Sequence, residues 1–225
     1  MKTLLIEDEA DLLESMKTYF MEEGILCETA SDYNQASELI SVYKYDCIIV
    51  DINLPSGSGL DLVKEIKNQK SDAGIIIISA RNALDDKIHG LESGSDDYLT
   101  KPFHLSELNA RVKALVRRRN YNGSQIFKHN ELKVDFSANN VTVHGKEITL
   151  TFKEYELLLY FISNKNKVIS KEAIAERLWG SGIDQADSFD FIYTHIKNLR
   201  KKISDADGSD WLKTVYGLGY KFKIE

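Results

Sequence analysis

Four apolar runs in the chain each end on a side chain that could take part in phosphoryl chemistry. Leu4-Leu5-Ile6 runs into Glu7-Asp8, and Cys47-Ile48-Ile49-Val50 runs into Asp51. Ile75 to Ile78 runs into Ser79, and Tyr98-Leu99 into Thr100-Lys101-Pro102. If these ends meet, three carboxylates, a hydroxyl and an ammonium share one crevice. Adjacent acids repel one another unless a cation sits among them, and an all-oxygen site of this kind suits Mg²⁺. Asp51 could then attack phosphorus and form an aspartyl-phosphate. Lys101 and the Ser79 hydroxyl would bind the transferred oxygens and neutralise charge as the bond forms.

The elements that must bring these residues together are legible in the same stretch. Short apolar runs alternate with helical spacing up to about residue 118. Asp11 to Glu22 carries Leu12, Leu13, Met16, Tyr19 and Phe20 at helical intervals. A second strand is expected at Ile25-Leu26-Cys27, and helices follow through Ala36, Leu39 and Ile40, through Leu60 to Ile66, around Leu84 to Leu91, and from Leu105 to Arg118. Five βα units of this length imply an α/β doubly wound five-stranded parallel sheet, covered on both faces. Ligands of such sheets bind at the carboxyl ends of the strands, where the four candidate runs end.

The bulk numbers fit two domains. The chain has 225 residues, 43% of them apolar and 28% charged. From Met1 to Asn120 there are 14 Lys and Arg against 21 Asp and Glu; from Tyr121 to Glu225 there are 15 against 14. The acidic half should repel nucleic acid, and the other half could bind it if its cations gather on one face. Cys27 and Cys47 sit in apolar surroundings and read as buried thiols in a reducing compartment. An acid at Glu7 comes too early for a signal peptide, and no apolar run approaches ~18 residues. A soluble, cytoplasmic protein with no membrane segment is expected.

Residues 1–118 resemble the receiver domain of bacterial two-component response regulators. The resemblance rests on Glu7-Asp8, Asp51-Ile52-Asn53-Leu54-Pro55, Ser79-Ala80-Arg81 and Asp96-Asp97-Tyr98-Leu99-Thr100-Lys101-Pro102-Phe103. It implies Mg²⁺ held by Glu7, Asp8, Asp51 and the backbone carbonyl of Asn53. It further implies Asp51 as phosphoacceptor, Ser79 and Tyr98 as switch residues, Lys101 as the phosphate-binding lysine, and a cis peptide before Pro102. Phosphatases resembling haloacid dehalogenases also use an aspartate nucleophile with Mg²⁺, but they place an acid two residues later. Here that residue is Asn53, which does no acid–base work.

Residues 119–126 are polar and contain Gly123, and read as a linker. In 127–225, Leu132, Val134 and Phe136 alternate, as do Val141 and Val143, which predicts antiparallel strands. Thr151 and Glu154 form a capping-box pair ahead of Leu157, Leu158, Phe161 and Ile162, and Ser170 can cap a second helix. A third helix from about Ser188 carries Ile192, Ile196, Leu199 and Ile203 on one face. Its other face offers Asp190, Tyr193, Thr194, Lys197, Asn198 and Lys201. A hairpin turning at Gly217-Leu218-Gly219 follows, with Lys221 and Lys223 on one strand face. Three helices and a basic hairpin point to an α+β winged helix-turn-helix domain, for which double-stranded DNA is the expected partner.

This half resembles the winged-helix effector domain of the OmpR/PhoB type, from about Phe127 to Ile224. The resemblance rests on Leu150 to Glu154, Val168 to Lys171, Leu178-Trp179-Gly180, His195 to Lys202, and Lys213 to Tyr220. It implies DNA contacts from Thr194, His195, Lys197, Asn198, Arg200, Lys201, Lys202, Thr214, Tyr216 and Lys221, and RNA polymerase as a partner of residues 180–187. Three positions depart from the family: Asp190 often aligns with arginine, Tyr193 with aspartate, and Tyr216 with a basic residue.

Together the halves imply a transcriptional response regulator. A sensor histidine kinase would phosphorylate Asp51, and the receivers would then form a homodimer on tandem DNA half-sites. The expected intersubunit pairs are Lys87–Glu107, Asp97–Arg111 and Asp96–Arg118. The chain would act on no substrate beyond its own Asp51. The alternative is a winged-helix regulator with an idle receiver; a phosphorelay protein without DNA is disfavoured by the complete second pattern.

Overall fold

The computed structural model describes residues 1–80, 88, 90–121, 123–180, 183 and 189–224. The chain divides into two compact units, Met1–Arg119 and Asn120–Glu225.

The first unit runs β1 (Lys2–Ile6), α1 (Ala10–Glu22), β2 (Leu26–Ala30), α2 (Tyr33–Val42), β3 (Cys47–Asp51), β4 (Asn53–Leu54), β5 (Gly57–Ser58), α3 (Gly59–Asn68), β6 (Gly74–Ser79), β7 (Asp97–Thr100) and α4 (Leu105–Tyr121). Five strands form one sheet in the order β2-β1-β3-β6-β7, every pair parallel. Side chains alternate across it. Leu4, Ile6, Ile48, Val50, Ile75 and Ile77 pack under α2 and α3 against Ala36, Ile40, Leu62 and Ile66. Leu5, Cys47, Ile49, Ile76, Ile78 and Leu99 face the other way, against Met16, Phe20, Leu108 and Val112 of α1 and α4. Burial on both faces is why these strands read as unbroken apolar runs rather than alternating ones.

Two local features differ from expectation, and a third falls mostly on residues that are not described. Ile25 lies outside β2 because its N–H bonds to the Phe20 carbonyl at the end of α1 (2.8 Å), so pairing starts at Leu26. A two-stranded hairpin, β4–β5, stands between β3 and α3. Most of the helix expected around Leu84 to Leu91 lies outside the described residues, although Ile88 and Gly90–Glu92 are helical.

In the second unit, β8 (Ile126–His129), β9 (Leu132–Asp135), β10 (Asn140–Val143) and β11 (Lys146–Glu147) form an antiparallel sheet in the order β11-β10-β9-β8. Helices α5 (Phe152–Ser163), α6 (Lys171–Trp179) and α7 (Asp190–Ser204) follow, with β12 (Val168–Ile169) between the first two. A second small sheet, β12-β14-β13, is closed by β13 (Leu212–Val215) and β14 (Gly219–Phe222). The Thr151–Glu154 capping box is complete, and Ser170 accepts the Ala173 N–H at 3.2 Å. Leu157, Phe161, Ile174, Leu178, Ile192, Ile196 and Leu199 meet in one core with Leu132, Val143 and Phe222.

The stretch 119–126 is only partly a connection. Helix α4 runs on to Tyr121, whose ring stacks on Phe136 with centroids 4.0 Å apart, and β8 already begins at Ile126. An aromatic partner for Tyr121 gives the helix a reason to continue past residue 118. The start expected for α7 at Ser188 lies outside the described residues, and the helix is described from Asp190.

Candidate functional site

The parallel register brings the strand ends together. Asp51 closes β3 opposite Ile78, and Ser79 closes β6 opposite Thr100 of β7. Glu7 follows β1, and its N–H bonds to the Ala30 carbonyl at 3.1 Å. The Lys101 ammonium lies 2.5 Å from Asp51 Oδ2 and 2.8 Å from Glu7 Oε1. Glu7 Oε2 is 2.7 Å from the same nitrogen but is not in line to accept a hydrogen bond from it, and it is buried. The Asn53 N–H donates to Asp51 Oδ1 at 2.9 Å. Lys101 is fixed by its own N–H, which donates to the Ser79 carbonyl at 2.8 Å, and the Lys101–Pro102 peptide is cis.

The electrostatics follow from burial. Glu7 and Ser79 are wholly buried and Asp51 nearly so, while Asp8 is exposed. Desolvation pushes the Glu7 carboxyl above its usual range; the hydrogen bond from Lys101 opposes that, and the Asp51 charge adds to it. Burial works against the Lys101 charge, yet hydrogen bonds to Asp51 and Glu7 outweigh it and hold the ammonium above its ordinary value. One oxygen from each of Glu7, Asp8 and Asp51 lies within 4.8 Å of the others. A hard divalent cation fits this donor set, and the buried Glu7 Oε2, which lacks a directed hydrogen bond, is a ligand of the right type. Tyr98 is half-buried, and a Cβ on Gly90 would come within 2.7 Å of its ring.

In the second unit, α7 buries Ile192, Ile196, Leu199 and Ile203 and exposes Tyr193, Thr194, Lys197, Asn198 and Lys201. Thr194 lies three and four residues before Lys197 and Asn198, and Lys201 four and three after them, so the last four make one polar, basic stripe. Thr214 and Tyr216 are exposed on the following hairpin, and Lys221 is half-exposed. Three expected DNA contacts have other partners. Lys202 donates to the buried Glu154 carboxylate at 2.6 Å, because position 202 turns toward the start of α5. Arg200 donates through Nε to the Leu212 carbonyl at 2.8 Å, and its Nη2 reaches both that carbonyl and Thr214 Oγ1. His195 is half-buried with its ring 5.4 Å from Trp179. Sequence periodicity gives the face of a helix but not what packs at its edges, and these three lie at the edges.

The expected intersubunit pairs also have partners within the single chain. Arg111 is 2.9 Å from Asp97 and 2.9 Å from Glu107. Asp96 pairs with Arg119 at 2.8 Å rather than with Arg118, which is exposed. One residue along a helix is a turn of about 100°, enough to point Arg119 and not Arg118 at Asp96. Lys87 lies outside the described residues.

The carboxylate pocket at the end of a five-stranded parallel sheet, followed by a winged-helix unit, defines a response regulator. The family described as response regulator receiver domain matches residues 3–113, and the family described as transcriptional regulatory protein, C terminal, matches residues 145–222. Transcriptional regulatory protein QseB of Haemophilus influenzae is 34% identical over 220 residues, 98% of this chain and 97% of that protein. Response regulator protein PmrA of Pseudomonas aeruginosa is 35% identical over 221 residues, again 98% and 97%. The Francisella response regulator 1452 receiver domain superimposes with a TM-score of 0.51 at 41% identity, over 52% of this chain and 97% of that one. The chain belongs to the OmpR/PhoB family of response regulators. It is a DNA-binding transcription regulator activated by phosphorylation, with a histidine kinase and DNA as partners. No helix among the described residues is long and apolar enough to cross a membrane.

Proposed function

We propose that Asp51 is the phosphoacceptor and that its phosphorylation is read out as dimerisation on DNA. The observation that supports this most directly is the Lys101 ammonium within 2.8 Å of both Asp51 and Glu7 at the carboxyl end of the sheet. Glu7, Asp8, Asp51 and the Asn53 carbonyl would hold Mg²⁺, which supplies the positive charge that offsets carboxylate and phosphoryl repulsion. An Asp51 oxygen attacks the phosphorus of a phosphohistidine, the P–N bond breaks, and the imidazole leaves. Lys101, already charged and held by its N–H to the Ser79 carbonyl, binds a phosphoryl oxygen, and the Ser79 hydroxyl binds another. The chain acts as an enzyme on no other substrate.

Movement of Ser79 toward the phosphoryl group would draw Tyr98 farther in and alter the face made by β7 and α4, a local charge event biasing a two-state element. In the dimer, Asp96, Asp97, Glu107, Arg111 and Arg118, together with Lys87, which lies outside the described residues, would exchange partners between copies. Two DNA modules, each weak alone, would then bind adjacent half-sites with gained avidity. Thr194, Lys197, Asn198 and Lys201 would enter the major groove, with Asn198 suited to adenine and Lys197 to guanine or phosphate. Residues 180–187, of which only Gly180 and Ile183 are described, would meet RNA polymerase in the cytoplasm.

Sedimentation with and without beryllofluoride and Mg²⁺ tests the readout. The proposal expects a dimer only with the phosphoryl mimic, and loss of that dimer in Arg111→Glu. A chain that stays monomeric with the mimic bound contradicts it.

A further inference from the structure

The wing carries an unusual tip. Tyr216 is 94% exposed and Leu218 65% exposed, on either side of Gly217. Neither side chain belongs to the core of the second unit, yet the backbone that presents them is fixed. Gly217 has φ +73°, a left-handed turn conformation, and the Leu218 N–H donates to the Val215 carbonyl at 3.0 Å. Gly219 has φ +135°, and a Cβ there would lie 2.1 Å from the Ile169 carbonyl oxygen, so β14 is seated against the end of β12. The base of the wing is tied to α7 by Arg200, through Leu212 and Thr214, with its guanidinium 6.0 Å from the Tyr220 ring. Lys213 and Lys221 stand opposite one another on the two strands below the tip.

This arrangement is continuous with the DNA-facing stripe of α7. A helix in the major groove has a minor groove on either side, and a hairpin held to that helix by Arg200 falls there. Cations at such a position are drawn to the negative potential of a narrow A·T minor groove. Tyr216 and Leu218 have no charge to offer. They have a rigid apolar body, and apolar side chains in the minor groove wedge between base steps or press on sugar edges. The lysines below them can hold the flanking phosphates.

We propose that Tyr216 and Leu218 form an apolar wedge that enters the minor groove and makes this wing a reader of groove shape rather than of charge. The wedge favours A·T pairs, because the guanine N2 amino group projects into the minor groove where the tip must sit. The inference rests on the DNA-regulator reading of the second unit.

The test uses the full chain with beryllofluoride and Mg²⁺, and a duplex selected by it from a random pool. Affinity is measured against salt for the unmodified chain, Tyr216→Ala, Tyr216→Arg and Lys197→Ala. A·T pairs flanking the major-groove contact are then replaced by G·C or by inosine·C, which lacks the N2 amino group. Tyr216→Ala should weaken binding about tenfold, the size of one base–aromatic contact, with the salt slope unchanged. Tyr216→Arg should steepen the slope by about 0.9. G·C should weaken binding at one flanking position and inosine·C restore it. Tyr216→Ala within twofold of the unmodified chain, with G·C and inosine·C alike while Lys197→Ala still weakens binding, overturns the wedge alone. A chain that selects no duplex overturns the DNA reading, and the wedge with it.

Discussion

Lys101 Nζ stands 2.5 Å from Asp51 Oδ2, although β6 lies between β3, which ends on Asp51, and β7, which Lys101 follows. The lysine reaches across because its backbone is pinned to the Ser79 carbonyl at the end of β6. It is the one described cation in contact with both Asp51 and Glu7. Lys101→Met should therefore lower the rate of phosphoryl uptake from acetyl phosphate by about a hundredfold, in the range found when a preorganised donor is removed from a transition state. The rate of adduct formation measures this, and circular dichroism shows whether the sheet persists. A variant as fast as the unmodified chain would remove Lys101 from the chemistry.

The Glu154–Lys202 pair should set the acid stability of the second unit. Burial pushes the Glu154 carboxyl up, but the Lys202 ammonium and the Thr151 N–H outweigh burial and hold its pKa below the ordinary 4.5. A depressed carboxylate pKa stabilises the fold above the unfolded value. That contribution is fully present above about pH 5 and is lost as pH falls through 4.5 toward the lower folded value. Lys202→Met leaves Glu154 buried without its cation and should cost about 2 kcal/mol at neutral pH. Urea unfolding from pH 7 to pH 3 should show the difference from the unmodified chain shrinking over the acid range. A constant difference would mean that the pair contributes packing only.

Gly59 is needed for contact rather than for conformation. A Cβ there would lie 2.0 Å from the Asp51 carbonyl oxygen and 3.0 Å from the Ile52 Cα. Gly59→Ala must push the backbone of Asp51, the proposed phosphoacceptor, and a rigid core transmits such a shift. Phosphoryl uptake should fall at least tenfold, since small misplacements near reacting atoms are costly. A mass adduct formed at the normal rate would contradict the close packing described.

The two cysteines should differ in reactivity in the native protein. Burial pushes the Cys27 thiol to about 12 and the Cys47 thiol higher still. Both pair in register with Thr3 from the strands on either side of it. Two strand spacings put them roughly 9.6 Å apart, beyond the ~7 Å limit for a disulfide. Cys47 is buried as expected, whereas Cys27 on the outer strand β2 is only half-buried, so a chromogenic disulfide reagent should leave Cys47 untouched in buffer, react with Cys27 slowly, and titrate both in urea.

The meeting of Glu7, Asp51, Ser79 and Lys101 is legible in the sequence because each ends or follows an apolar run, and a doubly wound sheet brings the carboxyl ends of its strands together. The pattern also carried the cores of both units, since Ile192, Ile196, Leu199 and Ile203 can share a face only if that face is buried. Less was legible where the outcome depends on depth. Lys202 and Arg200 look like surface cations in a basic run, and nothing local marks the buried Glu154 or the Leu212 carbonyl as their partners. Lys2 is wholly buried beside Glu28, with its ammonium under 5 Å from the Tyr43 and Tyr45 rings, and no sequence rule places a lysine there. The β4–β5 hairpin was missed because two residues per strand leave no period to detect.

The most direct test of the central claim is the intact mass of the chain after incubation with acetyl phosphate, with and without Mg²⁺, for the unmodified protein and Asp51→Asn. The account predicts one phosphoryl adduct on the unmodified chain with Mg²⁺, little without it, and none on Asp51→Asn. An unmodified, folded chain that gains no adduct in the presence of Mg²⁺, or an Asp51→Asn variant that gains the same one, would contradict it.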